Sequence, residues 1–255
     1  MSIIHSFDPA GREIISPSEA NEKIPDFPET LLVCFTEKFA ELIVGRTGAE
    51  QIGAFFAGRT IPVYKFARGG RTLGFYHSPV GGAASAAILE EAIARGGKRF
   101  LFFGSCGSLD KNITAGKLLV PVAAYRDEGA SYHYAPAGDY IKVITAERLA
   151  AIFKEMQVPF VRTKTWTTDA FYRETQRNML ARKEEGCAAV EMECASVMAV
   201  GRFRGVDVYQ FLYAADCLDG DGWDRRILGA MPDDMRAPIA DIALDAAERI
   251  ACLPH

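Results

Sequence analysis

Leu31-Leu32-Val33-Cys34-Phe35 is five apolar residues in a row, too short for a packed helix and without the alternation of a strand that has one wet face. Such a run reads as a strand covered on both sides. Phe100 to Phe103 is a second such strand. Further strands are expected at 61–66, 72–78, 117–124, 160–165, 187–190 and 206–213, and helices at 83–94, 146–156, 174–183, 194–204 and 237–251. Strands alternating with helices around a mostly buried sheet argue for a single α/β domain. Arg68-Gly69-Gly70-Arg71 reads as a hairpin turn between two of the strands. Residues 1–30, with Pro9, Pro17, Pro25 and Pro28, read as an irregular lead-in that packs on the body or on a neighbouring subunit, and 31–255 as the catalytic domain.

Charge narrows the function classes. A net charge of −4 over 255 residues gives no electrostatic case for nucleic acid or an anionic membrane. No apolar run approaches the roughly 20 residues that cross a bilayer, and the first residues lack a charged-then-apolar signal pattern. The cytoplasm is the compartment expected. The six cysteines are scattered, with no Cys-x-x-Cys pair and no ligand-like spacing to the four histidines, so they read as reduced core thiols and no metal site is expected.

The chemistry concentrates where expected strands end, the place where open α/β sheets bind ligands. Ala189-Val190-Glu191-Met192-Glu193-Cys194-Ala195 sets two carboxylates around a methionine at a strand-to-helix junction. A buried carboxylate there can accept both hydrogen bonds of a ribose diol; the plainer reading is an acidic first turn favoured by the helix dipole. Gly104-Ser105-Cys106-Gly107-Ser108 reads as a glycine-rich turn exposing backbone N–H groups beside a hydroxyl, a small anion or sugar site. In 166–177, aromatic faces suited to a planar ring accompany donors and acceptors for its edges. Asp216 follows the apolar strand ending at Tyr213, where burial would raise its pKa and let it serve as an acid. The loop 126–136, dense in polar and aromatic residues, reads as structural, with Arg126 neutralised by its acidic neighbours.

Together these stretches resemble the nucleoside phosphorylase superfamily of uridine phosphorylases, hexameric purine nucleoside phosphorylases and related nucleosidases. The resemblance implies a three-layer α/β/α domain with a central mixed twisted sheet. Glu191-Met192-Glu193 is similar to the family's ribose-binding Glu-Met-Glu: Glu193 would hold the 2′ and 3′ hydroxyls, Met192 would pack under the sugar, and Glu191 would support both. Ser105, with Gly104, falls on the phosphate-contacting position. The segments 128–136 and 169–172 resemble uridine phosphorylases, whose stacking ring would be Phe171. Counting on from Asp169 puts Thr175 and Arg177 on the two uracil-reading positions, of which only the arginine is kept. Asp216 resembles the base-protonating Asp of the purine enzymes.

The phosphate site departs from the family pattern. In place of Gly-Asp-Pro-x-x-Arg the chain reads Val33-Cys34-Phe35-Thr36-Glu37-Lys38, and Phe102 stands where an arginine precedes the Ser/Thr. Lys38 would then supply the positive charge, with Arg46 or a subunit-borne arginine another. The resemblance implies a pentosyltransferase that cleaves a uridine-type nucleoside with inorganic phosphate as co-substrate and needs no cofactor. It also implies a homo-oligomer built from dimers. The alternative is a nucleosidase on the same fold using water, with Glu37 near its activating position.

Overall fold

The computed structural model describes residues 2–220 and 222–254. In chain order the elements are α1 (Pro17–Ala20), β1 (Thr30–Cys34), α2 (Glu37–Thr47), β2 (Glu50–Phe56), β3 (Thr60–Arg68), β4 (Arg71–His77) and α3 (Gly82–Ala94). Then come β5 (Arg99–Ser108), α4 (Lys111–Thr114), β6 (Leu118–Asp127), α5 (Ser131–Tyr134), β7 (Tyr140–Lys142) and α6 (Ala146–Glu155). The remainder holds β8 (Phe160–Thr168), α7 (Gln176–Glu184), β9 (Cys187–Glu191), α8 (Cys194–Arg204), β10 (Asp207–Cys217) and α9 (Asp233–Ala251). Short 3-10 turns cover Ile3–His5 and Phe171–Arg173.

One mixed sheet runs β2-β3-β4-β1-β5-β9-β8-β6-β10, with β7 against β6. β1 lies parallel between β4 and β5, and all five of its residues are buried. Both faces are covered, which is why its sequence does not alternate. β10 also pairs in parallel with β5, so β5, β9, β8, β6 and β10 close into a ring at one end of the sheet. Closure removes the free edge of β10 and gathers the carboxyl ends of β5, β9 and β10 around one mouth.

Helices α3, α5 and α8 pack together on one face of the sheet, and α2, α6 and α9 on the other. α8 is small and buried from Cys194 to Gly201. Its approach to α3 is close enough that a Cβ on Gly82 would lie 2.3 Å from Ser196 Oγ. The small-residue character of both helices sets that spacing. Before β1, Phe7 meets Phe203 edge-on at 6.3 Å and Glu13 pairs with Arg204 at 2.8 Å.

The segment after β1 differs from expectation. It forms α2, with Phe39 and Ile43 buried and Gly48 ending the helix at φ 61°, a left-handed position glycine takes without a Cβ penalty. Gly104 to Ser108 is also not a turn: it is the end of β5, with Tyr213, Ala214, Asp216 and Cys217 opposite residues 105–108. Its backbone groups serve the sheet, so the expected cradle of free N–H donors does not form there.

Candidate active site

A cleft of about 760 Å³ opens at the carboxyl ends of β1, β5, β9 and β10, a size that suits a small organic ligand. Its lining includes Ser105, Cys106, Phe171, Glu191, Met192, Glu193 and Asp216. Five of the seven residues expected for ribose, base and catalysis thus meet there: Glu191, Met192, Glu193, Phe171 and Asp216.

The Glu-Met-Glu junction divides its labour. Glu191 Oε2 accepts from the backbone N–H of Glu193 at 2.8 Å and of Cys194 at 2.6 Å. Its Oε1 accepts from Thr167 Oγ1 at 2.6 Å, and Thr167 Oγ1 in turn accepts from the N–H of Ala195 at 3.0 Å. One carboxylate therefore satisfies two donors of the first turn of α8 and ties that turn to β8. Burial still pushes its pKa upward. Glu191 is the brace, not the hand. Glu191→Ala is expected to destabilise the fold by roughly 3 kcal/mol or more, because buried backbone donors lose a charged partner. Urea unfolding measures this, and an unchanged midpoint would contradict the brace.

Glu193 stands at the N-cap of α8, 6% exposed, with Oε1 accepting from the N–H of Gly81 at 2.6 Å. Burial, then the neighbouring charge of Glu191, pushes its pKa up to about 8. A group held so far from its ordinary range in a cleft is poised for a ligand that supplies hydrogen-bond donors. Met192 lines the cleft between the two acids.

Asp216 owes its position to an irregularity. The register of β10 against β5 shifts between Ala214 and Asp216, and such a bulge re-aims a side chain. Gly107 makes room: a Cβ there would lie 2.7 Å from Leu218 and 2.8 Å from Val190, with Asp216 Oδ1 at 3.4 Å. Asp216 Oδ2 accepts from Trp223 Nε1 at 2.7 Å. Burial raises the carboxyl's pKa, opposed by that hydrogen bond and by the charge of Arg226.

The phosphate side is unlike the expectation. Ser105 faces the cleft, but Gly104 does not line it and lies against the ring of Phe35. Phe35 stacks on Phe102 with centroids 6.0 Å apart, so a ring pair stands where one of the two expected cationic groups would lie. Lys38 is exposed on the first turn of α2 and is not brought to the cleft. Arg46 is held on α9, paired with Asp241 and donating to Ala237 O at 3.3 Å. Among the described lining residues there is no Lys, Arg or His, while four are carboxylates: Glu174, Glu191, Glu193 and Asp216.

The base side also moves. The 3-10 turn Phe171–Arg173 delays the start of α7 to Gln176 and shifts the helical phase of the residues after it. Thr175 becomes the N-cap of α7, accepting from the N–H of Asn178 at 3.3 Å. Arg177 is exposed, and neither residue lines the cleft. Gln176 lines it instead, together with Glu174, Tyr172 and Met179. Trp223, 62% exposed at the rim, carried no motif that sequence could flag.

The loop 126–136 is structural, as expected. Arg126 is buried, donating from Nε to Ser131 Oγ at 2.7 Å and from Nη1 to Pro136 O at 2.6 Å. Glu128 accepts from Ser196 Oγ at 2.6 Å, which locks the loop onto α8. Cys106 is on the cleft floor, but burial and the charges of Glu191 and Asp216 hold its thiol well above the usual range. No group of three or more metal-ligating side chains occurs among the described residues.

The sheet is closed at one end and gathers buried carboxylates at its strand termini around one ligand-sized cleft. The chain matches the profile of the phosphorylase superfamily over residues 29–247, and it belongs to that family. Purine nucleoside phosphorylase of Plasmodium falciparum is 28% identical over 185 residues, 68% of this chain and 72% of its own. Guanosine phosphorylase of Halorubrum lacusprofundi is 31% identical over 134 residues, 49% of this chain. Uridine phosphorylase of Haemophilus influenzae is 30% identical over 102 residues, 38% of this chain and 40% of its own. The chain spans 53% of the Halorubrum protein's length and 60% of that of a matching Acanthamoeba polyphaga mimivirus protein. The fold agrees with that of purine nucleoside phosphorylase from Toxoplasma gondii in complex with immucillin-H, at a TM-score of 0.75 and 18% identity, covering 91% of this chain and 97% of the other.

Proposed function

We propose that the protein is a nucleoside phosphorylase, cleaving the N-glycosidic bond of a nucleoside with phosphate to give free base and ribose 1-phosphate. The observation that carries this reading is the convergence of Glu193, Met192, Phe171 and Asp216 on one cleft. Glu193 accepts from the ribose hydroxyls, Met192 packs against the sugar and Phe171 stacks on the base. Asp216 donates a proton or hydrogen bond to the departing base, and phosphate bound beside Ser105 attacks the anomeric carbon. Orientation and stabilisation of an oxocarbenium-like sugar carry the rate. The phosphorylase names of the relatives support phosphate as acceptor, and they span purine and uridine enzymes, so they do not choose the base. In this reading the protein works as a homo-oligomer, and a neighbouring subunit supplies the cation that is absent from the described lining residues.

One observation favours water as the acceptor. Four carboxylates and no basic side chain line the cleft among the described residues, and a phosphate dianion entering it meets repulsion. Phosphorus NMR of the products separates the two. Ribose 1-phosphate supports phosphorolysis, and free ribose formed at the same rate without phosphate overturns it in favour of hydrolysis.

A further inference from the structure

Glu174 is not accounted for by ribose binding, by leaving-group activation or by any family motif in the sequence. It comes directly after the 3-10 turn Phe171–Arg173, and its backbone N–H closes that turn on Phe171 O at 3.3 Å. Residues at i and i+3 of such a turn project from the same side of it, so Glu174 and Phe171 are presented toward one region. Both side chains line the cleft. Among the described residues no donor or cation pairs with the Glu174 carboxyl; the charge it senses is the repulsive one of Asp216, and burial with that charge raises its pKa to about 7. A half-buried carboxyl without a donor, in the same cleft as an aromatic ring, is free to accept from a ligand.

We infer that Glu174 is a specificity-determining residue that accepts hydrogen bonds from two adjacent N–H groups on the edge of the base stacked on Phe171. This rests on the nucleoside-cleaving reading above. The donor inventory selects the class of base. An ionised carboxylate only accepts, and it pairs best with two parallel donors. A 2-amino-6-oxopurine offers that pair in its ring N–H and exocyclic amine. Uracil offers one N–H between two carbonyl oxygens, so a carboxylate placed against it sets oxygen against oxygen. A 6-oxopurine without the amine keeps one donor, and a 6-aminopurine places its amine beside a ring acceptor. The substrate class assigned is therefore a 2-amino-6-oxopurine nucleoside.

The test compares kcat and KM of the wild type and Glu174→Gln for guanosine, inosine, adenosine and uridine. The wild type is expected to favour guanosine over inosine and uridine in kcat/KM. In Glu174→Gln that preference is expected to fall on the order of 10- to 100-fold, through KM more than kcat, because a binding partner of the base is lost. Calorimetric binding of free guanine and hypoxanthine to both forms reads the same contact without turnover. A total lack of turnover therefore defeats the proposed function without deciding this contact. Unchanged base discrimination in a folded Glu174→Gln variant, or a wild type that prefers uridine or adenosine, overturns the inference. So does failure of guanine to bind the wild type more tightly than Glu174→Gln.

Discussion

Glu193→Ala is expected to lower kcat/KM by about 1,000-fold or more, beyond the few kcal/mol that one charge-assisted contact contributes. In the proposed mechanism the excess arises because the same carboxyl orients the sugar for attack, so binding and alignment fail together. Its pKa near 8 reflects burial beside Glu191, and a ribose diol, by donating two hydroxyl hydrogens, restores the ionised form. The substitution also leaves the Gly81 N–H without the acceptor it has at 2.6 Å. A modest loss of stability accompanies the kinetic effect, and a thermal melt separates them. Glu193→Gln keeps the volume and an acceptor oxygen and is expected to recover only part of the activity. Wild-type ribose affinity in Glu193→Ala would defeat the clamp assignment.

Asp216→Asn should cost on the order of 100- to 10,000-fold in kcat while changing KM little, the range for removing a general acid. A purine or pyrimidine anion is a poor leaving group, and in the proposed mechanism the proton or hydrogen bond from Asp216 lowers that barrier. Asparagine retains the shape and the acceptor facing Trp223 Nε1 but has no acidic proton. The diagnostic is leaving-group dependence: a riboside with a leaving group that needs no protonation, such as a nitrophenol, should narrow the gap between wild type and variant. An equal loss with both substrates would assign Asp216 to structure, not to acid catalysis.

The sheet and the braced Glu191-Met192-Glu193 junction were legible because each is local. A continuous apolar run declares a strand covered on both faces, and Glu191-Met192-Glu193 declares a braced helix start, each within seven residues. The helix Glu37–Thr47 was missed because its two buried residues, Phe39 and Ile43, make too thin an apolar stripe to announce a period. Closure of β10 onto β5 joins segments about a hundred residues apart and has no local signature. The base side failed by phase: a three-residue 3-10 turn moved Gln176 into the cleft and turned Thr175 into a cap. Lys38 failed for a related reason, since a residue counted along a strand extension lies instead on an exposed helical turn. Glu174 and Trp223 reach the cleft by tertiary placement alone.

The most direct test of the central claim is release of free base from guanosine, inosine, adenosine, methylthioadenosine, thymidine and uridine, each with and without phosphate. The account predicts base release from at least one of them, dependent on phosphate, and abolished together by Glu193→Ala and Asp216→Asn. Tight nucleoside binding with no base released from any of them, under either condition, would contradict it and leave the cleft a binding site without catalysis.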